Sequence, residues 1–310
     1  MSVSSAPVSA VDDRRWNSSA VVRAARATRV KLVVGVVLTL IVVVPILLAR
    51  VLPVPDPDAQ NVFLRLSPPG AEGHLFGTDH LGRDLLARVL YGGQVSLLIG
   101  VMAVVVSGII GVVLGSLAGY YGGKVDAVIS RLIEAQLSLP LLMMLLLVVA
   151  LFGASVPVIA FVIAIANWPE PARLTRSMVL VEREKPYVAA AVVMGLRRFA
   201  ILIKHVIPNV ISQAVVLALL LLAQAVLLES ALSFLGAGPQ RPFATWGRII
   251  SDGQDFIGSA WWIVTLPGLA IAALVIGVNL IGDGLQQGSV GAAFRRLGRS
   301  VTVLPGRKNS

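Results

Sequence analysis

The chain has 310 residues, of which 56% are hydrophobic and 14% charged, and its net charge is +10. A soluble domain has about 25% charged residues, so this composition indicates a membrane protein. The sequence contains no cysteine, which excludes disulfides, thiolate metal sites and cysteine nucleophiles.

Six apolar segments are predicted to span the membrane, since crossing the hydrocarbon core takes about 20 mostly apolar residues. They are 32–49, 95–118, 137–152, 156–168, 210–228 and 261–281. The first is longer than a signal-peptide core of about 7–15 residues and has no cleavage site after it, so we interpret it as a retained span. The fourth is short, and we expect it to extend into the polar residues that follow or to lie tilted behind other helices.

Lysine and arginine set the predicted orientation, because cytoplasmic loops carry an excess of both. Most of the 26 fall in the two tails and in the connections 119–136 and 169–209. With six spans, both termini are then expected in the cytoplasm. Topology therefore explains most of the positive charge, and we expect no nucleic-acid partner.

The second predicted span carries small residues at four-residue spacing: Ser107, Gly111, Gly115 and Gly119. Such a register lets another helix approach closely. We expect a packing seam within this chain, and a seam against a partner chain is the alternative.

The cytoplasmic stretch 186–210, PYVAAAVVMGLRRFAILIKHVIPNV, is too interrupted to span a membrane. Pro186 suits the first turn of a short helix, which Gly195 can end in left-handed geometry. A second short helix is expected to stop at Pro208, at the entry to the fifth span. This double helix would expose an alanine-rich apolar face, which indicates a contact site. An amphipathic helix lying in the lipid headgroups is the alternative.

The connection before the second span carries four polar residues, Thr78, Asp79, Arg83 and Asp84. We expect a cap or a salt bridge such as Asp79–Arg83 to fix this loop. His74 and His80 lie nearby, so a metal site is a weaker alternative, and we predict no metal ligands.

Several motifs resemble the membrane subunits of the oligopeptide/dipeptide/nickel branch of ATP-binding-cassette importers. The pattern A-A-x-x-x-G, with a proline thirteen positions after the glycine, is similar to their "EAA" loop, and KHVIPN is similar to its ending in this branch. GTDHLGRDLLARVLYGGQVSL (77–97), ESALSFLGAGPQRPFATWG (229–247) and NLIGDGL (279–285) are similar to other family segments in family order. One departure is Ala189, which stands where the family name has glutamate.

The resemblance implies an all-α fold, a six-helix type I importer transmembrane domain with a cytoplasmic coupling helix. Its segments would be an N-terminal tail (1–30), a first span with an extracytoplasmic connection (31–94), a transmembrane core (95–285) and a C-terminal tail (286–310). The coupling loop would be 186–209. Its residues here are Pro186, Tyr187, Ala190, Ala191, Gly195, His205, Pro208 and Asn209. The extracytoplasmic signature would consist of Gly77, Thr78, Asp79, Gly82, Arg83 and Asp84.

The resemblance also implies a non-catalytic permease subunit in the plasma membrane that imports di- or oligopeptides. Its partners would be a second permease subunit, two ATPase subunits that bind ATP and Mg²⁺, an extracytoplasmic binding protein that the signature could contact, and membrane lipid. No cofactor is expected in this chain, because its nearest phosphate-loop lookalike, AGYYGGKV, lacks the first glycine and the hydroxyl residue.

Three other functions remain alternatives to a peptide permease. A nickel or other small-solute permease of the same family has the same motifs. A self-sufficient secondary transporter is less consistent with the sequence, because the span centres carry almost no ionisable residues. An intramembrane hydrolase lacks a base, because all three histidines fall outside the spans.

Polar residues inside a span are costly and indicate function. Glu229, Ser230 and Ser233 at the outer end of the fifth span are candidates for the translocation path, where Glu229 would meet a peptide ammonium group. Pairing of Glu229 with Arg241 or Arg248 is the equal alternative. For Gln213 and Gln224 in the same span, helix–helix hydrogen bonds are preferred over substrate contact.

Overall fold

The computed structural model describes the backbone of residues 18–71, 73–240 and 244–301, and the side chains of 26–71, 73–211, 213–240 and 244–286. These residues form helices, and their only β contact is an isolated bridge between Thr78 and Asp84. The all-α fold class is confirmed. Most of the N-terminal tail, the end of the C-terminal tail and Arg241 lie outside the described residues.

Eleven α-helices follow one another in the described chain, with short 3₁₀ segments at Val62–Leu64 and Gln254–Phe256 and a π-helical turn at Leu202–Val206. The α-helices are α1 (Ser18–Leu47), α2 (Leu85–Tyr121), α3 (Gly123–Leu137), α4 (Leu141–Phe152), α5 (Val156–Asn167), α6 (Pro169–Glu182), α7 (Pro186–Val193), α8 (Arg198–Ile201), α9 (Ile207–Phe234), α10 (Trp246–Gly253) and α11 (Trp262–Val301).

Four stretches of the described residues are long and apolar enough to cross a membrane: Arg26–Leu47, Leu85–Tyr121, Gln213–Phe234 and Trp262–Gln286. The predicted third span corresponds to α4, which has 12 residues and is bent by 88° from α3. At about 1.5 Å per residue α4 is shorter than the roughly 30 Å hydrocarbon core. The described residues thus contain four such spans, or five if the bent pair α3–α4 counts as one, and the predicted number of six is not confirmed.

The predicted fourth span is also only 12 residues long, as α5, but its helical path does not stop there. Trp168 keeps right-handed helical dihedral angles and connects α5 directly to α6. This agrees with the expected extension of the fourth span into the polar residues that follow.

Three helices extend across the segment boundaries expected from the sequence. α1 begins at Ser18, α2 crosses residue 94, and α11 continues to Val301. The start of α2 is fixed by Asp84, whose carboxylate accepts a hydrogen bond from the Ala87 backbone N–H at 2.7 Å. The apolar runs mark only the part of each helix that lipid would surround, so the helices are longer than the predicted spans.

Glycines of α2 form a close seam with α6. A Cβ atom at Gly115 would lie 2.4 Å from the backbone oxygen of Ala172, and one at Gly119 would lie 2.7 Å from that of Arg176. Only glycine allows the two backbones to approach so closely. The seam lies within this chain, which confirms the first of the two alternatives given above.

A glutamine joins the α3–α4 bend to the α5–α6 junction. Pro169 has no N–H, so the carbonyl of Ile165 loses its helical donor. The Gln136 side-chain amide donates to that carbonyl at 2.6 Å and to the Ala166 carbonyl at 3.0 Å. The indole N–H of Trp168 donates to the Gln136 side-chain oxygen at 2.6 Å. The hydrogen bonds of Gln136 thus connect the α3–α4 bend to the α5–α6 junction and stabilise both.

Candidate functional site

The predicted coupling stretch forms two short helices separated by a glycine. α7 starts with Pro186 in its first turn, and Gly195 follows it with a φ of +76°. The backbone there leaves the helix in a left-handed conformation that glycine adopts without strain. The two expected helices and the glycine between them are confirmed.

The second short helix does not stop at Pro208, contrary to expectation. α8, the π-helical turn and α9 follow one another with right-handed helical dihedral angles, and Pro208 lies in the first turn of α9. A proline is tolerated there because its missing N–H falls where the wider π-helical turn has already changed the bonding pattern. The stretch is therefore directly continuous with the long span α9.

A polar cluster fixes the start of α7 to the start of α9. The Tyr187 hydroxyl lies 2.6 Å from a Glu182 carboxylate oxygen, to which it donates, and accepts a hydrogen bond from the Asn209 amide at 3.1 Å. Asn209 also donates to the backbone carbonyl of His205 at 2.7 Å, and Lys185 pairs with Glu182 at 2.5 Å. The structure thus brings together Tyr187, His205 and Asn209, which were chosen from sequence alone.

The cluster affects the proton affinity of Glu182. Burial raises the pKa of this carboxyl, but the hydrogen bonds from Lys185 and Tyr187 outweigh burial and leave the pKa below its ordinary value. Glu182 is therefore a charged acceptor at neutral pH, and charge-assisted hydrogen bonds are the stronger kind.

The outer surface of α7 and α8 is apolar and exposed. It consists of Val192, Val193, Met194, Leu196 and Phe199, and Val193 is 88% exposed. Ala190 is exposed as expected, whereas Ala191 is buried with Val188 against α8 and α9. The exposed alanine-rich face predicted from the sequence therefore includes Ala190 but not Ala191. We call the five exposed side chains the apolar knob.

The extracytoplasmic signature forms a buried ion cluster. Asp79 accepts hydrogen bonds from Arg83 Nε at 2.7 Å and from Arg88 Nη1 at 2.6 Å, and also from the backbone N–H groups of Leu81 and Arg83. Arg88 also lies 3.5 Å from Asp252 in α10. The predicted Asp79–Arg83 pair is confirmed, and it fixes the loop to the start of α2 and to α10.

Burial and neighbouring charges shift the pKa values of two side chains in this loop, Asp79 and His80. Burial raises the pKa of Asp79, but Arg88 and the backbone and charge of Arg83 outweigh it, and the pKa lies below its ordinary value. Burial lowers the pKa of His80, which stacks on Phe256 with ring centres 5.7 Å apart.

The remaining signature residues shape the loop. Thr78 bonds the Leu64 carbonyl and accepts from the Ser67 N–H, and Gly77 and Gly82 have φ values of +76° and +73°. A Cβ atom at Gly82 would overlap the backbone oxygen of Asn61. Thr78, Gly77 and Gly82 therefore stabilise a tight loop, in which the two glycines allow the positive φ values and the close backbone contact.

The carboxylate of Asp84 makes two contacts, the cap on α2 and a 2.7 Å contact with His74 Nδ1. The described residues contain no group of three or more histidine, aspartate or glutamate side chains arranged to hold a metal ion. His74 and Asp84 are instead a loop-to-helix pair.

Glu229 is enclosed at the junction of α2, α9 and α10. Its carboxylate is 0% exposed and accepts hydrogen bonds from Ser96 at 2.8 Å and Ser233 at 2.6 Å. Arg248 pairs with Asp252 at 3.1 Å and not with Glu229, so this form of the alternative is wrong, whereas its other form, with Arg241, lies outside the described residues. In this conformation the carboxylate has no opening to a path, and the path role of Glu229, Ser230 and Ser233 stays a prediction.

Several residues of these sites were not found from the sequence. Arg88, Ser96 and Asp252 contribute to the buried clusters, and Gln136 joins two helix breaks. The sequence offered one signal, since Arg88 and Ser96 are polar residues close to the start of an apolar run. Their partners lie far away in the chain, so the contacts were not predictable from that signal.

Comparison with known proteins shows to which family this chain belongs. The family model described as binding-protein-dependent transport system inner membrane component matches residues 111–290. The oligopeptide transport system permease protein OppC of Escherichia coli (strain K12) is 40% identical over 261 residues, 84% of this chain and 85% of the relative. The dipeptide transport system permease protein DppC of the same strain is 42% identical over 259 residues, 82% of this chain and 86% of the relative.

A solved structure shares the fold. An inward-facing structure of the MetNI methionine ABC transporter matches with a TM-score of 0.53 at 18% identity, covering 64% of this chain and 94% of the matched chain. At that identity the match shows the fold alone. On the family match and the 40% identity of full-length relatives, the chain belongs to the inner membrane components of binding-protein-dependent transport systems.

Proposed function

We propose that the chain is one of two permease subunits of a peptide importer, and that the apolar knob seats on an ATP-binding-cassette ATPase. The observation that carries the proposal is the exposure of the knob on a rigid base. The buried side of α7 packs against α6 and α9. The hydrogen bonds of Glu182, Tyr187 and Asn209 fix the start of α7 to the end of α6 and to the start of α9. An apolar surface in this position indicates a protein contact.

The proposed assembly contains a second permease subunit, two ATPases that bind ATP and Mg²⁺, and an extracytoplasmic binding protein. The excess of basic residues in 169–209 and in the two tails supports a cytoplasmic position for the knob and for both termini. This chain contributes no cofactor and no catalytic residue. The names of OppC and DppC, which describe oligopeptide and dipeptide transport, support peptides as the substrate class.

The proposed mechanism is alternating access driven through the knob. Because α8 continues through the π-helical turn into α9, movement of the knob is transmitted directly to a membrane span. ATP favours one state only if the ATPases bind it more tightly in that state, and their closure then moves the knob.

Crosslinking in the reconstituted importer tests the contact. Because the chain has no cysteine, Leu196→Cys and the control Ala191→Cys each introduce a single thiol, the first on the exposed knob and the second buried. We expect Leu196→Cys, and not Ala191→Cys, to crosslink to an ATPase subunit. Capture of lipid alone, or of this chain's own helices alone, would contradict the proposal.

Coupled transport tests the mechanism. Gly195→Leu forces a side chain into a left-handed conformation within the knob, and Gly153→Leu imposes the same strain in the α4–α5 turn, where a Cβ atom is equally free of contacts. We expect Gly195→Leu to abolish ATP-driven peptide uptake, and Gly153→Leu to retain it. Uptake of trialanine but not of Ni²⁺ by the wild type would support the peptide assignment, and the reverse result would overturn it.

A further inference from the structure

A cavity of about 380 Å³ lies where the α3–α4 bend faces the α5–α6 junction and α9. Its volume is within the range of about 300–1,000 Å³ that is typical of small-molecule sites. Most of the wall is apolar, including Leu141 and Met144 of α4, and five polar side chains also line it: Gln136, Asn167, Glu170, Arg173 and Gln224.

Two side-chain amides in the cavity have no hydrogen-bond partner among the described residues. Asn167, at the end of α5, is 6% exposed. Gln224 lies halfway along the span Gln213–Phe234 and is exposed in this chain. Polar groups at membrane depth are costly when unsatisfied and mark paths for polar solutes. An occupant that both donates and accepts hydrogen bonds would satisfy both amides.

Two opposite charges lie at the edge of the cavity. Glu170 and Arg173 are one turn apart on α6, and both line the cavity and are exposed. Within the described part of the chain, neither lies within 4.0 Å of an opposite charge. Separate, unpaired charges of both signs suit a zwitterionic occupant better than a metal ion or an anion.

We propose that this cavity binds the peptide during translocation. An amide side chain offers one acceptor and two donors, which match the N–H and C=O of a peptide bond, so Asn167 and Gln224 bind the backbone. Glu170 receives the terminal ammonium group and Arg173 the terminal carboxylate. This inference rests on the proposed function and adds the residues that recognise the substrate.

Thiol labelling tests whether the cavity is aqueous and occupied by substrate. Met144→Cys lines the cavity, whereas Met143→Cys is one residue away, 70% exposed in this chain and outside the cavity. Both are assayed in proteoliposomes with cysteine-free partner subunits and a charged methanethiosulfonate reagent. We expect labelling of Met144→Cys alone, slowed several-fold during ATP-driven uptake of trialanine. No labelling, equal labelling of both, or labelling that trialanine does not change would overturn the proposal.

Uptake kinetics test the named contacts. With the binding protein saturated, Gln224→Leu is expected to reduce the kcat of trialanine uptake about fivefold to tenfold, the effect of losing one hydrogen bond to the substrate. Gln213→Leu, on the same helix but outside the cavity, is the matched control and should transport normally. Glu170→Gln should remove the preference for trialanine over N-acetyl-trialanine.

The outcomes separate this inference from the proposed function. If the wild type transports no peptide although the complex assembles, the proposed function fails, and this inference fails with it. If the wild type transports trialanine but Gln224→Leu matches Gln213→Leu and Glu170→Gln keeps the preference, only the cavity assignment is wrong.

Discussion

Gln136 supplies to the carbonyl of Ile165 the hydrogen bond that Pro169 removes, with the amide nitrogen 2.6 Å from the carbonyl oxygen. The same side chain accepts from the indole of Trp168. A side chain near the end of α3 thus replaces a missing backbone donor of the α5–α6 junction, 29 residues away.

Replacement of this glutamine should destabilise the chain measurably. Gln136→Leu leaves the Ile165 carbonyl and the Trp168 N–H unpaired, and each unsatisfied buried group costs about 1–3 kcal/mol. Trp168→Phe removes only the indole donor and should lower the melting temperature of the purified complex less. Equal melting temperatures for Gln136→Leu and the wild type would show that water or lipid satisfies these groups.

Asp79 holds together the extracytoplasmic ion cluster, so Asp79→Asn should be strongly destabilising. The variant leaves Arg83 and Arg88 buried with only Asp252 nearby, and breaking a buried ion pair costs about 3–5 kcal/mol. The exposed Asp58 in the same connection provides the control. Asp58→Asn should change the unfolding free energy by less than about 0.5 kcal/mol.

The contribution of Asp79 to the stability of the folded chain should also depend on pH. Because its folded pKa lies below the ordinary value of about 3.9, ionised Asp79 stabilises the fold above that value, and this stability is lost as the pH falls through the lowered pKa. The wild type should therefore melt above Asp79→Asn at pH 7, and the difference should shrink below about pH 4. A difference that stays constant from pH 7 to pH 3 would contradict this linkage.

Local chemistry made much of the coupling stretch predictable. Pro186 and Gly195 determine the ends of α7 through their own backbone preferences, so both could be identified from the sequence. Pro208 does mark the entry to the fifth span, as predicted, but it does not stop the helix before it, because a π-helical turn connects α8 to α9.

Long-range contacts were beyond prediction for a physical reason. Ser96 reaches Glu229 across 133 residues, and Arg88 reaches Asp252 across a still longer separation. Only the packing of α2, α9 and α10 brings these groups together, and local patterns in a single sequence do not reveal that packing. The third span was misjudged because apolar composition does not reveal the 88° bend between α3 and α4.

The α2–α6 seam offers a test in which two glycines of one helix should behave differently. At Gly115 a Cβ atom would lie 2.4 Å from the backbone oxygen of Ala172, whereas at Gly108 it would meet nothing within 4 Å. Gly115→Ala should therefore push α6 away and cost about 1–3 kcal/mol, the usual effect of overpacking. Gly108→Ala should be neutral or slightly stabilising, because alanine favours a helix by about 0.5–1 kcal/mol over glycine. Melting temperatures of the two variants in the same purified complex provide the comparison. Equal effects would show that helix propensity, and not close backbone contact, determines the need for glycine at residue 115.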